Sequence, residues 1–360
     1  MIAAVQHLRG VAATLVVIHH AVEIVPKYYR TTSVLERALT PIVLGDAAVD
    51  LFFLISGFIM MVSTAGERST LAAARDFAQR RLFRIVPLYW FYTTIVVAVM
   101  LGAPALLPAH RFDWGHTLCS YLFIPCENSA GHVRPPLHMG WTLNYEMYFY
   151  LLMALFLPLG RRRTVLLITA LFALSSACHG FVPKSNGVLH FYTDPILLNF
   201  VLGMGLGCLH ASWRPTAPLA WGLFVGGLAA FSVFAFAGSF GLPRIFTTGI
   251  ASALLIAGSI NLPAATPGRL GRALGAIGNS SYSLYLVHFF TLPLWGKAIS
   301  ATGLARLPAD LLLGGSVIFS VVAGLLSFWL IETPLARFLR KQRTPPPASL
   351  PPSPSLPATS

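Results

Sequence analysis

The sequence predicts an all-α, polytopic integral membrane protein with about ten transmembrane helices. Hydrophobic residues make up 56% of the 360-residue chain, whereas charged residues make up only 10%. The mean hydropathy of +0.70 lies well above that of soluble globular domains. Apolar runs of about twenty residues recur along the chain, and this is the length that an α-helix needs to cross a bilayer.

Ten apolar segments account for the predicted helices. They cover residues 5–25, 44–63, 86–107, 141–158, 164–181, 195–211, 218–237, 244–262, 279–299 and 309–331. The first segment lacks a typical signal-peptide cleavage site, so it is predicted to remain in the mature protein. The chain contains neither a Walker loop nor a GxGxxG fingerprint, and this argues against an ATP-driven pump.

The distribution of basic residues predicts the orientation of the chain. When the N-terminus is placed in the cytoplasm, sixteen Lys and Arg residues fall on the cytoplasmic side and nine on the other side. The positive-inside rule therefore predicts a multi-pass protein of the cell inner (plasma) membrane with both termini in the cytoplasm. The same rule accounts for the net charge of +13, so no nucleic-acid partner is expected.

Composition divides the chain into two regions. Residues 1–343 hold all ten apolar segments and are predicted to form one transmembrane domain. Residues 344–360 are rich in Pro and Ser and contain too few large apolar side chains to form a packed core. They are predicted to form a disordered cytoplasmic tail.

The first apolar segment carries Arg9 near one end and the pair His19–His20 near the other. Arg9 and His20 are eleven residues apart, which places them within about 20° of one helical face and about 16 Å apart along the axis. A charged or titratable group inside a bilayer is costly, so it indicates a functional site. The spacing predicts a cation near one membrane surface and an imidazole toward the other.

Three titratable groups on three predicted helices are predicted to lie at a similar depth, in the outer third of the membrane. His20 lies about 7–8 Å from the outer end of the first helix, and Glu146 lies about 9 Å below the outer end of the fourth. Asp50 lies just below the outer end of the second. We therefore predict a shared site in which Glu146 or Asp50 orients the His20 imidazole, with Glu23 as a weaker, more water-exposed alternative.

Arg80, Arg81 and Arg84 cluster at the predicted cytoplasmic entry to the third helix. Such a cluster is typical of a positive-inside anchor, and the aromatic residues that follow it fit an interfacial belt. It is equally typical of a phosphate site, because the planar guanidinium matches phosphate oxygens. The residues alone leave the two interpretations open.

The longest outer loop, about residues 108–140, contains four histidines and two cysteines. The histidines are His110, His116, His132 and His138. Their spacings match no metal signature, so solvated side chains are predicted rather than a zinc site. A disulfide between Cys119 and Cys126 is left open at this stage.

Two further polar residues lie in the last two predicted spans. His288 stands among aromatic residues in the ninth span and is predicted to be a hydrogen-bonded core group rather than a catalyst. Glu332 ends the tenth helix and is predicted to pair with Arg337 or with an arginine of a neighbouring loop.

Six sequence strings together resemble the membrane acyltransferase 3 family, in particular its exopolysaccharide O-acetyltransferase (ExoZ-type) branch. They are QHLRGVAATLVVIHH (6–20), VDLFFLISGFIM (49–60), RRLFRIVPLYW (80–90), WTLNYEMYFYLL (141–152), SYSLYLVHF (281–289) and IETPL (331–335). The strings follow the family order and cover nearly the whole chain. Each is modest alone, but the ordered set is specific.

The resemblance implies an acyltransferase 3 type fold and an O-acetyltransferase. Such an enzyme passes an acyl group, usually acetyl, from cytoplasmic acyl-CoA to a sugar hydroxyl at or beyond the outer face. The acceptor would be a cell-surface or exported carbohydrate such as exopolysaccharide or lipopolysaccharide, free or lipid-linked. The family's Arg-x10-His pattern falls on Arg9 and His20, and its WSLxxE-type glutamate falls on Glu146. Here Met147 stands where many members carry a second glutamate.

The resemblance and the residue analysis combine into one mechanistic hypothesis, with acetyl-CoA as co-substrate and no metal expected. Arg80, Arg81 and Arg84 hold the nucleotide phosphates, and Arg9 lines the thioester path or binds coenzyme A at its inner mouth. The pantetheine arm, about 15–20 Å long, matches the rise of the first helix and threads toward His20. His20 is then the general base on the acceptor hydroxyl or carries the acetyl group transiently.

The alternative from another functional class is a transporter or flippase of a lipid-linked sugar, because proton-coupled carriers also bury histidines and carboxylates. Such a carrier would not need acyl-CoA. Within the family, a succinyl or longer acyl donor is also open. An acceptor in lipopolysaccharide, peptidoglycan, a nodulation oligosaccharide or an antibiotic is open as well, because the matching strings follow the donor machinery rather than the acceptor.

Overall fold

The structure is a computed structural model that describes residues 2–29, 31–40, 43–107, 111–183, 185–263 and 268–341. The predicted tail at 344–360 lies outside the described residues, as does His110. Within those ranges the chain forms fifteen α-helices and no strand. They are α1 Ala3–Ile24, α2 Val34–Leu39, α3 Leu44–Ser63, α4 Leu71–Gly102, α5 Trp114–Tyr121, α6 Gly140–Phe156, α7 Arg161–Cys178, α8 Gly187–Thr193, α9 Leu198–Leu209, α10 Ala217–Ala237, α11 Thr248–Ser259, α12 Arg269–Asn279, α13 Ser281–Thr302, α14 Ala309–Ser327 and α15 Thr333–Lys341.

Short helical turns of other types extend or join these helices. The 3₁₀ turns are Val25–Tyr28, Pro104–Leu106, Leu157–Leu159, His179–Phe181, Pro195–Leu197, Arg244–Phe246 and Leu304–Arg306. A π-helical turn, Phe328–Glu332, connects α14 to α15. A π turn is rare and often marks a functional position.

The all-α membrane fold is confirmed. Seven helical stretches are long and apolar enough to cross a membrane by length and composition, and they include α1, α3 and α4. The apolar stretch Arg244–Ser259 is shorter. Each of the ten predicted segments contains a helix, but the count of ten spans stays a prediction, because α6, α11 and α13 do not reach the same length and hydropathy.

Helix α1 lies at the centre of the bundle and packs against α3, α12 and α13. Its close approach to α12 depends on two glycines. A Cβ on Gly10 would collide with the backbone at Leu274, and a Cβ on Gly278 would collide with the backbone at Gln6. Small residues let membrane helices approach in this way, and the contact fixes α1 in the core.

Two ends of the bundle are distinguished below by their side chains. The basic end is defined by Arg9, Arg81 and Arg84, and the histidine end by His19 and His20 on the last turns of α1. Helix α13 runs beside α1 from the basic end, where Arg9 donates a hydrogen bond to Ser281 at 2.8 Å, to the histidine end. Together α1 and α13 connect the two ends.

Candidate functional site

A cavity of about 680 Å³ opens between α1, α3, α4, α6 and α13. Its polar lining includes three arginines, Arg9, Arg81 and Arg84, and one carboxylate, Glu146. Much of the remaining wall is apolar. The apolar side chains include Val49, Phe52, Phe53, Ile55, Phe58 and Ile59. The cavity therefore joins a cationic region to an apolar channel, an arrangement that suits a ligand with an anionic head and a long uncharged arm.

Two arginines of the cavity, Arg9 and Arg81, have neutral hydrogen-bond partners. Arg9 donates to Ser281 and, at 3.4 Å, to Gln6. Arg81 donates to Ser63 at 3.1 Å, and its guanidinium carbon lies 5.8 Å from the centre of the Tyr150 ring. Among the ion pairs of the described residues, none includes Arg9, Arg81 or Arg84.

Like charges therefore face each other in the cavity. Arg84 repels both Arg9 and Arg81, whereas Glu146 attracts Arg9 and Arg81, and Glu332 attracts Arg9 and Arg84. An anionic ligand would relieve the repulsion among the arginines, because guanidinium groups form strong charge-assisted hydrogen bonds with phosphate oxygens.

Glu146 forms a compact hydrogen-bonded group with two hydroxyls inside the cavity. Its Oε1 accepts a hydrogen bond from Ser56 at 3.0 Å and another from Tyr150 at 2.5 Å. The two hydroxyl oxygens lie 3.1 Å apart. Tyr150 is one turn beyond Glu146 on α6, and Ser56 reaches the group from α3, so the carboxylate is held from two helices.

Arg80 does not line the cavity, and the expected cluster of three arginines is split. Arg80 instead forms ion pairs with Glu67 and with Asp76, one helical turn before it. The helical rotation of 100° per residue places Arg80 and Arg81 on opposite flanks of Arg84, and the acidic partners hold the Arg80 flank away from the cavity.

The partner of His20 differs from both predicted partners. His20 Nδ1 lies 2.9 Å from Oε2 of Glu23, and His19 Nε2 lies 3.5 Å from Oε1 of the same carboxylate. Glu146 and Asp50 were predicted for this role, and Glu23 was ranked below them. Glu23 is favoured because it is one turn along the same helix, where i,i+3 and i,i+4 side chains meet.

Asp50 belongs to a separate buried network, so the expected shared site of His20, Asp50 and Glu146 does not form. Asp50 is 0% exposed and accepts hydrogen bonds from Arg244 on both oxygens, at 2.9 and 3.1 Å. Asn199 and Thr248 donate to it at 2.8 and 2.5 Å. This network joins α3 to α9 and to the start of α11, and it leaves Asp50 little capacity to orient another side chain.

The Asp50 network yields a stability prediction. Asp50→Asn is expected to destabilise the fold by about 3 kcal/mol, because it leaves the buried side of Arg244 without its carboxylate. Asp46→Asn is the matched control, since Asp46 lies 3.3 Å from the same guanidinium but is more than half exposed; it is expected to cost about 1 kcal/mol or less. Thermal unfolding in detergent measures both. Unchanged melting of Asp50→Asn with loss of activity would instead support the catalytic role predicted from the sequence.

Tyr285 closes the cavity toward the histidine end. Its hydroxyl lies 2.7 Å from the Thr142 hydroxyl and donates to the Met139 carbonyl at 3.2 Å. Its ring centre lies 5.8 Å from that of His288, which in turn stacks on His20. The described residues that line the cavity include Tyr285 but not His20, so the cavity and His20 are separated by this layer of side chains.

Helix α13 supplies two cavity residues that the sequence analysis did not identify, Ser281 and Tyr285. His288, on the same helix, is buried and hydrogen-bonded to the Leu284 carbonyl, as predicted. Ser281 contacts Arg9, Tyr285 closes the cavity, and His288 stacks on His20. Their spacing of i, i+4 and i+7 places them on one helical face, and this was the signal available in the sequence. Glu332 accepts a hydrogen bond from Ser283 at 2.6 Å. The arginines that attract it are Arg84 and Arg9, on helices α4 and α1, rather than Arg337 or an arginine of a loop as predicted.

The outer loop is more ordered than predicted. Cys119 and Cys126 form a disulfide, which settles the question that the sequence left open. His116 lies 2.9 Å from the Arg134 carbonyl and His138 lies 3.1 Å from the Arg134 guanidinium, so these two histidines are hydrogen-bonded and partly buried. His132 is exposed, as predicted.

Among the described residues, a group with metal-ligating atoms occurs at the histidine end. The ligand atoms of His19, His20 and Glu23 lie within 4.8 Å of one another. The two imidazoles already contact the Glu23 carboxylate. These contacts account for the grouping without a cation.

Comparisons with known proteins agree with the architecture. A family sequence model described as "Acyltransferase domain" (Acyl_transf_3) matches residues 2–332. The chain is 37% identical over 306 residues to the exopolysaccharide production protein ExoZ of Rhizobium meliloti (strain 1021), covering 83% of this chain and 92% of that protein. It is 25% identical over 335 residues to the acyltransferase MdmB of Streptomyces mycarofaciens, covering 83% of each. No solved structure matches the chain.

Proposed function

The chain belongs to the acyltransferase 3 family, and on that premise we propose that it is an O-acetyltransferase that moves an acetyl group from cytoplasmic acetyl-CoA to a carbohydrate hydroxyl. The acceptor is a cell-surface or exported carbohydrate, free or lipid-linked, of the class to which exopolysaccharide belongs. One observation carries the proposal: three arginines line a 680 Å³ cavity without a salt-bridge partner among the described residues.

The charge of the cavity and its apolar lining support coenzyme A as the ligand. Its phosphates carry several negative charges, and Arg81 and Arg84 offer guanidinium groups that match phosphate oxygens. Arg9 lies deeper and lines the path of the thioester. The apolar channel beyond the arginines takes the pantetheine arm. We keep Arg80 outside this set, because its charge is already paired with Glu67 and Asp76.

Glu146 acts on the donor inside the cavity. Its carboxylate, held by Ser56 and Tyr150, accepts a hydrogen bond from an amide N–H of the pantetheine arm and so sets the position of the thioester. Asp50, the other carboxylate predicted to be catalytic, stabilises the bundle through Arg244 instead.

His20 performs the proton transfer at the histidine end. Glu23 accepts a hydrogen bond from its Nδ1, which leaves the lone pair on Nε2. Nε2 takes the proton of the acceptor hydroxyl, the hydroxyl oxygen attacks the thioester carbonyl, and the C–S bond breaks. The leaving thiolate then takes the proton from the imidazolium. The thioester reaches His20 only after the Tyr285 ring moves aside.

The orientation follows from the same scheme. The basic end faces the cytoplasm, where acyl-CoA is available, and the histidine end faces the outer side of the inner membrane. The excess of Lys and Arg on the predicted cytoplasmic side supports this orientation with both termini inside.

The test is acetyl transfer by the purified protein in liposomes. Radiolabelled acetyl-CoA does not cross the bilayer, so it is supplied either to the basic end or to the histidine end of protein whose orientation is checked by protease digestion. Coenzyme A release and label on an added glycan are expected only with donor at the basic end. No release from acetyl- or succinyl-CoA with any glycan would overturn the proposal and favour transport of a lipid-linked sugar.

The proposed role of Glu146 predicts different effects of its substitution on kcat and on the KM for acetyl-CoA. Glu146→Gln keeps an oxygen that accepts from Ser56 and Tyr150 but removes a negative charge from a cationic cavity. We expect kcat to fall about tenfold or more, because a neutral amide is the weaker acceptor. The KM for acetyl-CoA is expected to stay constant or to decrease, because less charge opposes the phosphates.

Steady-state kinetics at varied acetyl-CoA concentration separates these two effects. Glu36→Gln, on the short helix α2 outside the cavity, serves as the control for loss of a carboxylate. A higher KM at unchanged kcat in Glu146→Gln would contradict the assigned role.

A further inference from the structure

A second imidazole lies directly against His20. The ring of His288, on α13, stacks on that of His20 with the ring centres 5.3 Å apart and the planes inclined by 21°. His288 is 1% exposed, whereas the His20 side chain is 20% exposed. The exposed ring is therefore supported from behind by a fully buried one on a different helix.

Hydrogen bonds define the tautomers of both rings. The Glu23 carboxylate can only accept, so His20 donates from Nδ1 and carries its lone pair on Nε2. The Leu284 carbonyl likewise accepts from Nδ1 of His288 at 3.1 Å. His288 Nε2 therefore also carries a lone pair, and it has no hydrogen-bond partner among the residues that the structure describes.

The unpartnered nitrogen argues against a role in packing alone. A buried polar atom without a partner destabilises a fold, and a phenylalanine or leucine would fill the same space without that cost. His288 lies between the ring of Tyr285, 5.8 Å away, and the ring of His20. Its position between the cavity closure and the proposed base indicates a role in the site.

We propose that His288 is a positioning residue for His20, an inference that rests on the proposed function. Glu23 fixes the rotation of the His20 ring from α1, and His288 fixes its plane from α13. Contacts from two helices then hold Nε2 toward the acceptor hydroxyl. When His20 takes up the proton, the resulting cation lies over the π face of a neutral ring, which stabilises it.

The kinetic test compares two substitutions that separate the ring from its nitrogens. His288→Phe keeps a flat ring against His20, and His288→Ala removes it. His288→Ala is expected to lower kcat about 10- to 100-fold, the effect of a misplaced catalytic group, and His288→Phe is expected to lower it less. The KM for acetyl-CoA should stay within about twofold, because the cavity arginines are not touched.

Ser320→Ala is the matched control. Ser320 is equally buried, on α14, and its hydroxyl lies 2.7 Å from that of Thr291 on α13, away from His20. Its kcat should stay within about twofold of wild type. If both His288 variants lower kcat no more than Ser320→Ala, or if they raise the KM for acetyl-CoA in parallel with the loss, the proposal is wrong.

A second measurement does not depend on acyl transfer. Solid-state ¹⁵N NMR of histidine-labelled protein in lipid reports how much each imidazole ring moves, and the His20 signals are assigned by their absence in His20→Ala. Wild type is expected to show a rigid His20 ring, and His288→Ala a ring that moves through a larger angle but keeps its Nδ1–H, because the Glu23 hydrogen bond remains. Unchanged mobility of the His20 ring in His288→Ala would overturn the proposal even in a protein that transfers no acetyl group, so failure of the proposed function is recognised separately.

Discussion

Replacing His20 with alanine is expected to lower kcat for acetyl transfer by about 10²- to 10⁴-fold, the range for loss of a general base. The cavity that binds the donor is built from other residues, so the KM for acetyl-CoA and the thermal stabilisation by coenzyme A should change little. Release of coenzyme A from labelled acetyl-CoA, measured with a saturating glycan acceptor, gives kcat directly.

His19→Ala is the control for this substitution. His19 is adjacent in sequence and contacts the same Glu23 carboxylate, but its ring packs against Gly45 of α3. We expect kcat of His19→Ala within about fivefold of wild type, since the His20–Glu23 hydrogen bond remains. Equal losses in the two variants would show that the pair acts through local structure rather than through His20 chemistry.

The His20→Ala variant also distinguishes two forms of the mechanism. If His20 carries the acetyl group, wild type incubated with labelled donor and no acceptor should retain label on the protein, and His20→Ala should retain none. If His20 acts only as a base, neither protein retains label, and coenzyme A is released only when a hydroxyl acceptor is present.

The double substitution Arg81→Gln with Arg84→Gln is expected to raise the KM for acetyl-CoA about 100-fold or more. Hydrogen bonds to charged groups contribute about 1.5–3 kcal/mol each, and the variant loses two such donors. Because it also removes mutual repulsion, the ligand-free variant should melt no lower than wild type. Thermal unfolding with and without coenzyme A tests this second point.

Arg80→Gln is the matched control, since the residue comes from the same helical turn but its charge is paired with Glu67 and Asp76. Its KM should stay within about threefold of wild type. Coenzyme A at about 100 times its Kd should stabilise wild type and Arg80→Gln by about 2.7 kcal/mol, and the double variant far less. A KM that rises equally in the double variant and in Arg80→Gln would place the phosphates elsewhere.

Sequence reasoning was most successful where the information lies along one helix. The apolar runs predicted helices in all ten segments because the bilayer demands long apolar stretches. Arg9 and His20 lie on the single helix α1 as predicted, so the constant helical rise separates them along its axis.

Reasoning from depth failed where rotation about the helix axis decides the contacts. Asp50 and Ser56 lie on one helix, but they point about 120° apart, so one faces Arg244 and the other faces Glu146. Depth was estimated for Asp50, Glu146 and His20, but depth does not specify which neighbouring helix each side chain meets. The direction of the Asp50 side chain about the axis of α3 explains why it lies apart from the other two groups.

Two further contacts were not predicted from the sequence. One joins residues that are distant in the chain, and the other joins residues that are close in the chain. His288 is a buried, hydrogen-bonded core residue as predicted, but its stacking on His20 was not predicted because His20 lies at the opposite end of the sequence. Arg80 was grouped with Arg81 and Arg84 because the acidic residues that neutralise it were not considered. The i,i+4 spacing of Asp76 and Arg80 would have indicated their ion pair. The contact between His288 and His20 follows only from the packing of α1 against α13.

The closure formed by Tyr285 has a consequence for the energetics of the cell. A membrane that holds a potential of 100 mV does about 2.3 kcal/mol of work on each elementary charge that crosses it. A continuous water-filled path through the protein, from the cavity past His20, would conduct protons and dissipate that potential. The Tyr285 hydroxyl is held by Thr142 and Met139 at the wall of the cavity. Under the orientation proposed above, a ring fixed there would keep a cavity that is open to one side of the membrane from conducting protons to the other.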